Sequence, residues 1–517
     1  MRLGQKLYEC AIDHVVEFGD TDVFPFPFER HFLSAQRNEL AASLSSLDLA
    51  NYRPMNLVES LVPKSRFGFR VAHQPFILDT VIFTAMVLSI YDDVEAGRPA
   101  PESNRAFSYR KKPGLDANFF QEDRTYRHWL ESIGMLVFSD EYSHAIRTDI
   151  SDFYMRIYRH RLENILSSLS GDEAAVRRIE NFIADWRGRQ SFGLPVGSNA
   201  ARLLAEAALN DTDHGLVAEG YDHTRYVDDM IVLVRHDQDP YAALGYLAKQ
   251  LAENEGLALN NQKTTIFTWE EFVSSIPGHD DGGAEPDEES TTERLFWSAY
   301  GNEEADEEAL NQLMLRDLSA ELEELLNEPY WDMGRIRIVL HAMRLVGSPE
   351  IAAYVRANLA TLVPFAKDIA LLVDEFAAQG IGGFDGFEPE LTELLLSDRM
   401  EPLACSRAWL LELGVRGVLS FSSQQIRRLD TLTGTLDRRQ LTLLRWRAGD
   451  VNYFRSRKTR LNEINSWSQP SFIFGARCLP QDEYKHWIRS IRSRLQFPEG
   501  LAFADWCLAT YGNDPLR

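Results

Sequence analysis

RYVDDMIVLVR, residues Arg225 to Arg235, is the stretch whose reading decides the fold. Tyr226-Val227 and Met230 to Val234 are β-rich runs on either side of an Asp-Asp pair, which predicts a hairpin with Asp228 and Asp229 at its tip. Two adjacent carboxylates between buried apolar strands repel one another and lose hydration. A bound divalent cation relieves both costs. Taken alone, the segment also reads as an ordinary surface turn, which Asp favours.

A second acidic position narrows the reading. In SHAIRTDISDFYMRIYRHRLENIL, Asp149 closes a short apolar run and Asp152 is expected to cap an amphipathic helix running through Ile165. A strand-end aspartate beside an Asp-Asp hairpin suits a two-metal phosphoryl-transfer site. Hard Mg²⁺ takes oxygen ligands and leaves room for substrate phosphates. Two such ions activate a 3′-hydroxyl and stabilise the leaving pyrophosphate.

These two segments resemble motifs A and C of reverse transcriptases, and three more stretches follow the family's order. VPKSRFGFRVAHQPF (62–76) resembles the fingers segment that clamps the incoming triphosphate, with Lys64, Arg66 and Arg70 as its cations. SFGLPVGSNAARLLAEAALNDTDHGL (191–216) resembles motif B, in which Val196 and Gly197 would touch nucleotide and template and Ser198 or Asn199 would cap the helix. GLALNNQKTTIF (256–267) resembles motif D, with Lys263 as the group that protonates pyrophosphate. The resemblance covers about residues 60–270. By position it implies that Asp149 and Asp228 ligate both metals with the Ile150 carbonyl, and that Asp229 ligates weakly or supports electrostatically. The expected cofactor is a pair of Mg²⁺ ions, with Mn²⁺ as a substitute. Tyr154 falls at the steric-gate position, which implies a preference for deoxynucleotides; as a bland alternative, it is a core aromatic.

Most relatives carry Gln where this chain has Val196, which weakens the contact to a templating base. A polymerase followed by long helices, together with LPVGSNAARLLAE and VVEFGDTDVFPFPFE, resembles the abortive-infection (Abi) group of bacterial reverse transcriptases. That likeness implies antiphage defence and untemplated, protein-primed synthesis. It also implies dNTP substrates, a single-stranded DNA product attached covalently, homo-oligomeric assembly, and a bacterial or prophage-encoded cytoplasmic protein. Tyr8 is the candidate primer, with Tyr52 as the fallback. A templated retron or group II type enzyme and a catalytically dead helical scaffold stay open as alternatives.

The rest of the chain fits around this centre. Its 517 residues exceed one ordinary core, and the expected fold is α+β: right-hand polymerase fingers and palm, then an all-α helical-repeat (HEAT-like) domain. The expected divisions are an N-terminal segment (1–60), a fingers/palm domain (61–275), an acidic linker (276–300) and a helical domain (301–517). Helical stretches such as MGRIRIVLHAMRLVG and FAKDIALLVDEFAAQG carry apolar residues at three- and four-residue spacing, but no strict period appears. An irregular helical bundle fits equally well. The net charge of −24 argues at first against nucleic acid. About −15 of it, however, lies in residues 271–340 and about +2 in 341–517. In that last part Arg445, Trp446, Arg447, Arg455, Arg457 and Lys458 interleave cations with an aromatic and form a candidate single-stranded DNA surface. No apolar run is long enough to span a bilayer. The four cysteines lack metal-ligand spacing, which fits a reducing compartment.

Overall fold

The computed structural model describes residues 1–21, 23–136, 139, 141–188, 190–276 and 316–516. The chain divides into two compact units. Unit 1 is Met1–Asp22, Arg37–Leu57 and Pro75–Gly283; unit 2 is Val23–Gln36, Val58–Gln74 and Ala284–Arg517. This departs from the expected boundaries in two places. The first sixty residues form no unit of their own, and the 58–74 hairpin groups with the helical part of the chain. The expected linker lies outside the described residues.

Unit 1 is built on a four-stranded antiparallel sheet. With β1 (Val58–Pro63) and β2 (Phe69–Gln74) in unit 2, its strands are β3 (Tyr142–Asp149), β4 (Asp222–Tyr226), β5 (Asp229–Arg235) and β6 (Thr265–Thr268), in the order β4-β5-β3-β6. Strand β5 reads MIVLV without polar alternation because both its faces are covered. On one face Ile231 and Leu233 join Phe107, Trp129, Ile133, Ala145 and Phe272 in a core cluster. On the other, Met230, Val232 and Val234 are fully buried. The helix Ile77–Ala96 is buried on all sides from Ile77 to Leu88, with Asp79 enclosed among apolar residues, and its acidic last turns reach solvent. No helix among the described residues is long and apolar enough to cross a membrane. The N-terminal helix Gln5–Phe18 packs against that helix and against Arg37–Ser45, burying Tyr8, Ala11, Ile12 and Val15, which is why the first residues belong to unit 1.

Unit 2 is mainly helical. One series of its helices packs in succession: Leu318–Asn327 on Met333–Val346, then Ala366–Gln379, Ala404–Val415, Thr435–Arg447, Gln469–Gly475 and Gly500–Ala509. Pro349–Ala357, Glu388–Leu395 and Ser423–Leu429 intervene in the chain, and the last two pack on one another. Phe28 and Phe32 join this unit's aromatic core through Phe474 (5.0 Å) and Phe503 (5.2 Å), and buried Glu29 pairs with Arg439. The β1–β2 hairpin is anchored by Ser60, whose hydroxyl accepts the Cys405 amide at 2.8 Å.

Candidate active site

The β3–β5 register places Asp149 directly opposite Asp229, and the Ile150 amide donates to the Asp228 carbonyl at 3.1 Å. Three acidic residues from two segments therefore meet at one end of the sheet. The tip of the β4–β5 hairpin is the two-residue turn Val227-Asp228, since Tyr226 pairs with Asp229. Val227 takes a φ of 59°, an unusual conformation for a β-branched side chain. Something must hold it there.

The restraint is a buried ionic network. The Val227 amide donates to the Ser108 hydroxyl at 2.8 Å, and Ser108 in turn donates to Glu206. The Arg225 guanidinium donates to Glu206 at 2.8 Å, to Asp213 at 2.7 and 2.8 Å, and to the Val227 carbonyl at 3.2 Å. Arg98 donates to Glu206 at 2.7 Å and to Glu95 at 3.0 Å, and Arg110 to Glu95 at 2.8 Å. Arg225, Glu206 and Asp213 are all fully buried. Three guanidiniums thus meet three carboxylates, which is what lets charges sit inside a core. Despite its own burial, Asp213 is held well below the usual carboxylate range by Arg225 and His223. None of these residues was singled out as functional from sequence. The available signals were a lone Glu206 on the apolar helix face of LLAEAALN and an arginine abutting the Asp-Asp hairpin.

The carboxylates themselves face a shortage of positive charge. Desolvation pushes the Asp228 carboxyl up to about 7, with the charges of Asp229 and Asp149 adding to it. Burial, then Asp149, raises Asp229 as well. Asp149 accepts from the Asn260 amide at 3.0 Å and pairs with the half-exposed Lys263 ammonium at 3.2 Å. In this conformation no three His, Cys, Asp or Glu side chains among the described residues converge tightly enough to hold a metal ion. The donor chemistry nonetheless fits a hard divalent cation: an excess of carboxylate oxygen, poorly hydrated, with one lysine as the nearby counter-charge. Asp149, Asp228 and Asp229 are the residues that would hold it.

The nucleotide-side residues are placed as follows. Tyr154 is partly buried, and its hydroxyl is pushed well above the usual tyrosine range by desolvation, with Tyr109, Arg202 and Asp228 among the charges acting on it. The Tyr154 carbonyl accepts the Leu194 amide at 2.8 Å, tying it to the 191–197 loop. Gly197 has φ 125°, where a side chain is strained. Val196 is partly buried, and Ser198, not Asn199, caps the helix Asn199–Ala208 by accepting the Ala201 amide at 3.2 Å. Asp152 departs from its expected role: it holds a left-handed φ of 49° and makes no capping bond, and the helix after it stops at Arg156. A second helix, Arg159–Leu169, begins after the break.

Lys64, Arg66 and Arg70 lie on the β1–β2 hairpin in unit 2, where Arg66 donates to the Glu328 carbonyl at 3.0 Å. Tyr8 is fully buried with an unbonded hydroxyl, and partly buried Tyr52 donates its hydroxyl to buried Asp79 at 2.5 Å. Of the residues expected to form a C-terminal DNA surface, Arg445 bonds Asp430 and Asp450, Arg447 bonds Asp514, and Arg455 and Lys458 share Glu483. Arg457 lies over the Tyr453 ring at 4.5 Å, and Trp446 packs edge-on to Phe474 at 4.9 Å. Arg445 is buried, whereas Arg455 and Arg457 are exposed.

An antiparallel sheet with acidic residues gathered at a tight hairpin is the architecture of a polymerase palm. The family model "Reverse transcriptase (RNA-dependent DNA polymerase)" matches residues 106–294. The chain therefore carries a reverse transcriptase domain, the domain of a nucleotidyltransferase that uses divalent metal ions. No curated protein matches. Among solved structures, apo telomerase from Candida tropicalis matches at 12% identity and a TM-score of 0.34, covering 74% of this chain and 73% of that one. Telomerase from Candida albicans in complex with a telomeric RNA fragment matches at 12% identity and 0.32, covering 67% and 62%.

Proposed function

We propose that the chain is a Mg²⁺-dependent DNA polymerase of the reverse transcriptase type that adds dNTPs without a template and primes on a protein hydroxyl. In this reading it belongs with the Abi group, works in antiphage abortive-infection defence and assembles as a homo-oligomer. The observation that carries the polymerase reading is the pairing of Asp149 with Asp229, alongside the Ile150–Asp228 bond. When bound, divalent metal supplies charge neutralisation at the reacting phosphates. The chain's own residues do the rest. Asp149, Asp228 and Asp229 hold the cations and Lys263 delivers a proton to pyrophosphate. Tyr154 lies under the sugar.

The untemplated reading draws on Val196 at a position where most reverse transcriptases carry Gln. The HEAT-like reading of the C-terminal part draws on its successively packed helices, from Leu318–Asn327 to Gly500–Ala509. Protein priming at Tyr8 requires the Gln5–Phe18 helix to withdraw, because that hydroxyl is buried. Tyr52 would first have to release Asp79.

Incubating purified protein with dNTPs and Mg²⁺, without nucleic acid, tests the proposal. DNA synthesis and a mass-shifted protein are expected, and Asp228→Ala should abolish both. Strict dependence on added RNA and primer favours the second reading, a templated RNA-dependent polymerase, to which the description of the matching family model lends support. Unchanged synthesis by Asp228→Ala overturns the site.

A further inference from the structure

His14 is a buried polar group outside the catalytic cluster. It sits on the N-terminal helix, 3% exposed, with its ring 4.1 Å from that of Phe119. Both of its nitrogens are engaged: Nδ1 lies 2.7 Å from the Ala117 carbonyl, and Nε2 lies 2.9 Å from the side-chain nitrogen of Asn199. A carbonyl oxygen only accepts, so Nδ1 carries the proton. Burial pushes the ring down to about 4, so it stays uncharged at neutral pH and Nε2 is left as an acceptor. That acceptor settles the amide of Asn199. Its N–H₂ turns to His14, and its oxygen turns the other way, to accept the Arg202 guanidinium at 2.8 Å. One backbone carbonyl thus fixes a tautomer, then an amide, then a guanidinium.

Arg202 stands beside the site. The helix Asn199–Ala208 is buried along its length except at Asn199 and Arg202, and it follows directly on Val196 and Gly197. The Arg202 guanidinium lies over the Tyr109 ring at 5.1 Å, and that ring is 5.9 Å from Tyr226, the residue before the Val227-Asp228 turn. Its charge also acts on the Tyr154 hydroxyl. Packing between Phe18 and Phe119 calls for a ring at position 14, but not for two matched nitrogens. We propose that His14 is a positioning residue for the nucleotide site: through Asn199 it holds Arg202 where the guanidinium donates to an incoming nucleoside triphosphate. This rests on the polymerase reading, and it adds to that reading a cation and the reason the N-terminal helix packs beside it.

The test uses two amides. The carboxamide of Gln falls near the place of a histidine's Nε2, and that of Asn near the place of Nδ1. His14→Gln therefore keeps an acceptor for Asn199 and gives up the Ala117 bond, whereas His14→Asn does the reverse. Nucleotide affinity is read as the Kd of a fluorescent dATP analogue with Mg²⁺ and as KM in single-nucleotide addition, with thermal melting alongside. His14→Asn is expected to weaken both about 10- to 100-fold with kcat near native, the range for one hydrogen bond to a charged group. His14→Gln should stay within about 3-fold of the native chain. Asn199→Ala leaves the histidine and its packing in place and should reproduce the His14→Asn loss. Arg202→Gln should lose at least as much, and combining it with His14→Asn should add nothing, because the two act on one contact. A merely structural histidine would lower melting temperature and affinity in parallel for Asn and Gln. That result, unchanged affinity in Asn199→Ala, or additive losses in the double variant overturns the proposal. A native chain that binds the analogue but adds no nucleotide sinks the polymerase reading and leaves the Kd comparison to decide the positioning; one that binds none sinks both.

Discussion

Glu206→Gln is the substitution that asks most of the structure. Glu206 takes hydrogen bonds from three donors: Arg98 at 2.7 Å, Arg225 at 2.8 Å, and Ser108. Glutamine keeps the shape but puts an amide N–H₂ in place of one oxygen: at Oε2 it would face the two guanidiniums, and at Oε1 Ser108 must turn from donor to acceptor. It also withdraws one negative charge from a balanced set of three pairs, leaving a guanidinium uncompensated where neither Arg225 nor Glu206 reaches solvent. Breaking a buried pair from one side costs about 3–5 kcal/mol. For a unit of this size that lowers the melting temperature by roughly 6–20 °C. The effect on activity runs through Ser108, whose bond to residue 206 must reverse or reorient while it holds the Val227 amide at 2.8 Å. A turn carrying catalytic carboxylates that drifts by about 1 Å should reduce turnover about 100-fold. Thermal melting by circular dichroism and single-nucleotide addition read the two effects separately. Ser108→Ala isolates the second, with a stability loss of about 1–3 kcal/mol for the bonds left open. A Glu206→Gln protein melting within a degree of the native chain at full turnover would refute the argument that this network positions the turn.

Asp79, buried and pushed up to about 7 by desolvation, gives a pH signature. Its folded value lies above the unfolded one near 3.9, so stability falls as pH rises between them, by up to about 1.4 kcal/mol per pH unit. Asp79→Asn should flatten that fall in melts taken from pH 5 to 8. Asp228→Asn should raise the melting temperature of metal-free protein at pH 8 while abolishing nucleotide addition, because it removes a carboxylate that burial and two like charges disfavour. Lys263→Met should lower the addition rate about 10²- to 10⁴-fold, the range for a lost general acid, leaving the melt nearly unchanged because the lysine is half exposed. Tyr154→Ala should let ribonucleotides compete with deoxynucleotides, measured as the ratio of their kcat/KM values; an unaltered ratio would return Tyr154 to the role of a core aromatic.

How much of this was legible in the chain depended on range. The MIVLV run and the Asp-Asp pair located the hairpin because strand period and turn chemistry act over a few residues. The expected helix through Ile165 failed for a reason outside that window. The Ile157 carbonyl accepts the Gly193 amide at 2.9 Å and Tyr158 bridges to Phe192, so partners more than thirty residues away pull the segment out of the helix. The partners of the C-terminal cations were equally out of view: Asp514 and Glu483, which pair with Arg447 and Arg455, lie well away from them in the chain. The split of the first sixty residues between units follows from where Phe28 and Phe32 find aromatic company, which composition alone does not show.

The two-residue turn at Val227-Asp228 leaves no slack in chain length. Side chains on a strand alternate sides, so adding or deleting one residue between Tyr226 and Met230 would send every following side chain of β5 to the opposite face, Ile231 and Leu233 included. Asp229 would also lose its place across from Asp149. The site can be altered by swapping residues, but its spacing is as fixed as a thread pitch, and sequences that share this chemistry should vary in letters around the hairpin far more readily than in count.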